Sequence, residues 1–142
     1  MVGSLLIEFQ KKLVSRIKDL RDEQSLSQQE LAKFARVSRQ TIYYLERGQS
    51  NPSLSLSLKI AKFLKKPVEE IFYDEPIIRA VIENIKVGDL KAIANELGIN
   101  YDRIMKLCDL TDEQLSEMYT EEELIKIANG LGKSFEELFL EI

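Results

Sequence analysis

Apolar residues recur at three- and four-residue spacing along almost the whole chain, the period of a helix with one buried face. Phe9, Leu13, Ile17 and Leu20 form one such stripe and predict a first helix over residues 5–23. Ser25-Leu26-Ser27 interrupts it, and Ser27 begins a capping box with Glu30 three residues on. The short helix that follows turns Leu31, Phe34 and Ala35 inward. Ala35-Arg36-Val37 reads as a tight turn and Ser38 as the next N-cap. A third helix then runs to about Arg47, burying Ile42 and Leu45, and Gly48 suits the left-handed residue that ends it. Beyond Gln49-Ser50-Asn51-Pro52, a fourth helix capped by Ser53 is expected to point Leu54, Leu58, Ala61 and Leu64 inward. Pro67 opens a short fifth helix with Glu69 and Glu70 at its positive end, and Ile71-Phe72 closes the unit.

The same order then recurs. Asp74-Glu75-Pro76 is polar and Pro-bearing and marks the expected boundary, giving domains at 1–74 and 75–142. Ile77 to Ile85 reads as helix and Asp89 as an N-cap, with Leu90, Ile93, Ala94 and Leu97 as the next stripe. Gly98-Ile99 makes a turn, Asn100 caps, and Ile104 and Leu107 face inward. Thr111 with Gln114, Thr120 with Glu123 and Ser134 with Glu137 are further capping boxes. The phrase K-I-A-K-F-L-K-K-P-V-E-E-I-F (Lys59 to Phe72) returns as K-I-A-N-G-L-G-K-S-F-E-E-L-F (Lys126 to Phe139), identical at eight of fourteen positions with an offset of 67. The fold class expected from these patterns is all-α, in two parts.

Gln28 to Gly48 reads Q-Q-E-L-A-K-F-A-R-V-S-R-Q-T-I-Y-Y-L-E-R-G. This resembles the helix-turn-helix of the Xre/Cro family of lambda-repressor-like regulators. The resemblance covers about residues 9–74, with Leu31, Ala32, Ala35, Val37, Ile42 and Leu45 at matching positions and N-P-S-L at the entry to the fourth helix. It implies a five-helix DNA-binding domain whose third helix enters the major groove. Subtracting the inward residues leaves Ser38, Arg39, Gln40, Thr41 and Tyr44 as candidate base readers. Arg39 can donate twice to guanine, and Gln40 can pair with adenine. Gln28 stands where the family contacts backbone phosphate, and Gln29, Lys33, Arg36, Arg47, Gln49 and Asn51 are further candidates for phosphate contacts. The resemblance also implies a structural pair, Arg21 with Glu46, that orients the recognition helix. Tyr43 reads more as packing than as readout. Arg36 departs from the glycine often found at that turn, at a cost on the order of 1 kcal/mol.

With an offset of 62, Leu31-Ala32 falls on Ile93-Ala94, Val37 on Ile99, Ser38 on Asn100, Ile42 on Ile104 and Leu45 on Leu107. The offset rises to 67 after the third helix, so the later copy carries about five extra residues there. Its core repeats and its reading surface does not. Tyr101 replaces Arg39, Asp102 replaces Gln40, Asp109 replaces Arg47, and Leu90 replaces Gln28. Residues 75–142 are therefore expected to be a degenerate helix-turn-helix-like domain of similar topology, used for dimerisation or partner binding.

Charge sharpens the division. Residues 1–74 carry 13 Lys+Arg against 9 Asp+Glu, a balance of +4, whereas residues 75–142 carry 7 against 15, a balance of −8. A polyanion suits the first half and not the second. With no His and one Cys, the usual metal sites and His-based triads are absent, so neither an enzyme nor a cofactor is expected. Cys108 reads as a small packing residue. The segment Met1 to Leu6 lacks a basic run and the apolar runs are short, so no export signal or membrane association is expected and the location reads as cytoplasmic. The expected function is a sequence-specific double-stranded DNA-binding transcriptional regulator, a repressor acting as a homodimer. The other class left open is an antitoxin-like or coactivator-like adapter whose acidic half holds a protein partner.

Overall fold

The computed structural model describes residues 6–141. It is mainly helical, in two compact units that interleave along the chain: residues 13–74 form one, and residues 6–12 with 75–141 form the other. The expected first domain, 1–74, thus gives up its described N-terminal residues to the second half.

In the unit of residues 13–74, five helices surround one core: α1 (Ile17–Glu23), α2 (Gln28–Ala35), α3 (Arg39–Glu46), α4 (Leu54–Leu64) and α5 (Val68–Ile71). Ile17, Leu20, Leu31, Ala32, Ile42, Leu45, Ile60, Leu64 and Ile71 are buried together. The caps follow the sequence: Ser27 and Glu30 form a full capping box, and the Ser38 and Ser53 hydroxyls accept from Thr41 and Leu56 N–H. The α4 face is different from that expected. Leu54 and Leu58 are 74% and 56% exposed, while Ser57, Ile60 and Leu64 line the core. This helix carries two apolar stripes, and the core takes the one led by Ile60. Phe34 is likewise exposed and stacks on Phe63, ring centroids 4.9 Å apart.

The remaining helices are α6 (Ile77–Glu83), α7 (Val87–Leu97), α8 (Tyr101–Met105), α9 (Asp112–Met118), α10 (Glu121–Gly130) and α11 (Phe135–Leu138), with a 3-10 turn at Lys106–Cys108. Asn100 caps α8, and the boxes at Thr111, Thr120 and Ser134 all form. Asp89 is not a cap: α7 begins earlier, after Lys86, and leaves Asp89 in the first turn, where the helix dipole favours a carboxylate.

The chain is not purely α. Among the described residues there are four short strands: β1 (Ile7–Phe9), β2 (Lys11–Ser15), β3 (Phe72–Pro76) and β4 (Phe139–Glu141), with β1 paired to β4 and β2 to β3. The helix expected over residues 5–23 is therefore confined to Ile17–Glu23; residue 5 lies outside the described residues. Tertiary pairing overrides the helical spacing here. Ile7 and Phe9 alternate inward into the core of the second unit, opposite Glu141 and Phe139 in an antiparallel register. The other edge of β1 is closed by side chains of α9. The Ser116 hydroxyl accepts from Ile7 N–H and donates to Ile7 O, and Asp112 accepts from Phe9 N–H at 2.9 Å. Ile7 N–H, Ile7 O and Phe9 N–H thus find partners on α9 where they would otherwise be lost from water.

Candidate nucleic-acid interface

Helices α2 and α3 are joined by Arg36, which adopts the left-handed conformation (φ 59°). Val37 N–H returns to Ala32 O at 3.0 Å and fixes the turn. Ser38 then starts α3 with its hydroxyl on Thr41 N–H, and the Ser38 and Thr41 hydroxyls lie 2.9 Å apart. With Ile42 and Leu45 inward, Ser38, Arg39, Gln40 and Tyr44 stand exposed and Thr41 half-buried. Gln40 Nε2 donates to Tyr44 Oη, one turn on, at 3.2 Å.

Arg39 does not hang free. Its Nη1 donates to Gln28 Oε1 at 3.0 Å, Gln28 Nε2 donates to Glu46 Oε1 at 3.0 Å, and Glu46 takes both Nη2 (3.0 Å) and Nε (2.6 Å) of Arg21. Arg21 also donates to Leu26 O at 2.7 Å. Both members of the Arg21–Glu46 pair are nearly shut off from water, with side-chain exposures of 9% and 5%. The hydrogen bond that Arg21 donates to Glu46 raises the Arg21 pKa, against the opposing effect of burial. One continuous chain of hydrogen bonds therefore runs from a buried ion pair to the exposed tip of α3.

Gln29, Lys33, Arg36, Arg47, Gln49 and Asn51 are all exposed, and Gln28 is half-buried at the start of α2. The Arg47 guanidinium lies 5.3 Å from the centroid of Tyr43, which is also exposed and meets Tyr44 edge-on. The Gln28–Glu46 bond escaped the sequence reading. Its only signal was a polar residue at the start of α2 facing the end of α3.

The stretch that the sequence repeat sets against α3 has different surroundings. Tyr101 and Asp102 open α8, and Lys91 Nζ sits 5.4 Å from the Tyr101 ring centroid. Arg103 is turned away, bonded through Nε and Nη2 to Glu123 and through Nη2 to Met118 O, with Tyr119 beneath it. Cys108 is half-buried, and burial pushes its thiol pKa up, with the negative charges of Asp109 and Glu83 adding to the effect. Among the described residues no His, Cys, Asp and Glu group is placed to hold a metal, and no helix is long and apolar enough to cross a membrane.

Two helices locked by a fixed turn, with the second exposed at its N-terminus and rimmed by cations, define a helix-turn-helix protein. The Helix-turn-helix family model matches residues 17–71. An uncharacterized HTH-type transcriptional regulator of Archaeoglobus fulgidus is 47% identical over 62 residues, which is 43% of this chain and 87% of the relative. Similar proteins with the same description occur in Methanocaldococcus jannaschii (46% over 61 residues, 43% of this chain, 92% of the relative) and Bacillus subtilis (38% over 61 residues, 43% of this chain, 92% of the relative). The chain belongs to the Xre-type helix-turn-helix family of DNA-binding transcriptional regulators.

Proposed function

We infer that residues 13–74 are the DNA-reading head and that α3 lies in the major groove of a specific duplex site. The observation that carries this reading is the tethered Arg39. A guanidinium held by Gln28 is aimed before DNA arrives, so less side-chain freedom is lost on binding. Arg39 donates to guanine O6 and N7, and Gln40 exchanges Tyr44 for an adenine edge. Ser38, Thr41 and Tyr44 supply the neighbouring base contacts. Gln28, Gln29, Lys33, Arg36, Arg47, Gln49 and Asn51 hold the phosphates, and the Arg21–Glu46 pair sets the angle of α3. One such module buries too little surface for tight specific binding, so the protein acts as a homodimer on paired half-sites. Occupancy of a promoter is enough to block transcription, which favours repression.

The unit containing residues 75–141 is, on this reading, a degenerate copy of the same fold. Four features support it. Left-handed residues recur at Arg36 and Gly98 and at Lys65 and Gly132. The bond from Val37 N–H to Ala32 O has its counterpart from Ile99 to Ala94, both 3.0 Å. Lys66 N–H to Ala61 O, 3.2 Å, has its counterpart from Lys133 to Ala128, 2.9 Å. The extra loop residues of the second copy fall around α9, which anchors β1. With Asp102 and Asp109 replacing Gln40 and Arg47, this copy repels phosphate and serves dimerisation or a protein partner.

Selection of bound sequences from random duplexes, using the full chain, tests the reading. A palindromic consensus is expected. Arg39→Ala is expected to weaken binding to it by about 1–3 kcal/mol and to relax the preference for guanine at one position. Failure to enrich any sequence would falsify the proposal.

A further inference from the structure

The second unit carries a groove that the DNA reading does not use. It is open, about 410 Å³ in volume, and lies along α10, α11 and β4. Its apolar lining is Ile125, Phe135, Phe139 and Leu140. The floor is held by the core: Phe135 stacks on Phe139 with centroids 5.4 Å apart, and Phe139 on Phe9 at 6.1 Å. Ile125 and Leu140 are 37% and 45% exposed. Glu121, Glu136 and Glu141 form the rim, and neither Lys nor Arg is among the described residues that line it.

Glu121 and Glu141 crowd one another. The hydrogen bond to Glu141 and, after it, loss of water raise the pKa of the Glu121 carboxyl. Two like charges beside an apolar floor favour a cation placed between them. Strand β4 is paired with a strand only through β1 among the described residues, which suits an extended neighbour.

The charge also sorts the occupants. Nucleic acid is repelled by three carboxylates, and symmetric pairing of two copies would set the same glutamates against their twins. At an offset of 67 the first unit leaves Leu54, Leu58 and Tyr73 exposed where the second has Glu121, Ile125 and Leu140. The fold thus bares this stripe twice, and the later copy puts a carboxylate at its head.

We propose that this groove holds an extended segment of a partner protein in which an aliphatic side chain is flanked by lysine or arginine. The aliphatic group covers Ile125 and Leu140, and the cations pair with Glu121, Glu136 and Glu141. This rests on the reading of the second unit as a partner-binding copy, and it is independent of which DNA site the first unit prefers.

A displayed library of random twelve-residue peptides, panned against the full chain, provides the probe. The expected result is a consensus of Lys or Arg around an aliphatic residue. A synthetic peptide of that consensus should bind at least tenfold more weakly to Ile125→Ser/Leu140→Ser and to Glu121→Lys. These positions are on the surface, and thermal melting checks that each variant folds. Glu141→Gln provides a milder change of charge with no new bulk. Binding of the duplex by the same variants should be unchanged, and Arg39→Ala should weaken duplex binding and keep the peptide, which separates this proposal from the DNA reading. No enrichment, a consensus without cations, or peptide binding indifferent to both variants would overturn it. So would a dimer, seen by sedimentation, that the same variants abolish, because a second copy would then be the occupant.

Discussion

Two arginines, each paired with a glutamate, show what separates the halves of this protein. Arg21 and Glu46 are buried, and their pair is extended through Gln28 to Arg39 at the surface. Arg103 and Glu123 are about one-third exposed, and their pair ends on Met118 O and the Tyr119 ring. In the first half the ion pair serves a side chain that faces outward. In the second it ties α8 to the start of α10 and leaves Tyr101 and Asp102 unaided. The polar wiring inside a helical unit decides whether its exposed helix end is held, as Gln28 holds Arg39.

The comparison can be broken in several ways. The largest effect is expected from Phe9→Ala, which removes a buried ring from the second core and should cost that unit about 3–5 kcal/mol. Denaturant unfolding followed by hydrogen exchange at separate amides should show protection lost in residues 75–141 and kept in 13–74. Equal loss in both would mean that the units do not fold independently. Next is Glu46→Ala, which strands the buried Arg21 and should destabilise the first unit by about 3 kcal/mol. The matching change in the second unit, Glu123→Ala, breaks a partly solvated pair and should cost about 1 kcal/mol or less. Similar values for the two would erase the contrast drawn above.

A smaller test exchanges the turn residues. Arg36→Gly should stabilise the first unit by about 1 kcal/mol through relief of the left-handed backbone, and Gly98→Arg should destabilise the second by a similar amount. Chemical denaturation reads both. The smallest effect concerns pH. The Arg103 hydrogen bond, then that from Thr120 N–H, lowers the Glu123 pKa, and the Ser134 cap lowers that of Glu137. Their contribution is present above the unfolded carboxylate pKa and is lost as pH falls through the depressed folded values. Glu121, raised by Glu141, works the other way and relieves repulsion as it protonates. Melting of wild type and Glu123→Gln between neutral and strongly acid pH should converge at the acid end; a constant difference would show that the pair does not titrate as argued.

Much of the fold was legible in the sequence because caps and turns are local. Ser27, Ser38, Ser53, Thr111, Thr120 and Ser134 all cap the helices they were expected to open. What escaped depended on distant residues. Phe9, Leu13, Ile17 and Leu20 have helical spacing, yet β1 and β2 form because β4 and β3 lie more than fifty residues away in the chain and supply their hydrogen bonds. Two apolar stripes on α4 offered no local reason to prefer Ile60 over Leu58 as the inner one. At the interface, the order of Ser38, Arg39 and Gln40 along α3 was readable from the cap and the buried Ile42 and Leu45. The tether from Gln28 was not, because it is a choice of rotamer made against Glu46.

The pairing of β1 with β4 sets an order of events during synthesis. Ile7 to Phe9 leave the ribosome long before the strand that completes them, Phe139–Glu141. The unit of residues 13–74 has its own core and can fold while the rest is still being made. The second unit cannot close until Phe139–Glu141 is out, and β1 must wait through the synthesis of everything between. Strand β1 carries two core residues, Ile7 and Phe9, exposed for that interval. The growing chain thus holds a finished helix-turn-helix unit before it holds a finished second unit.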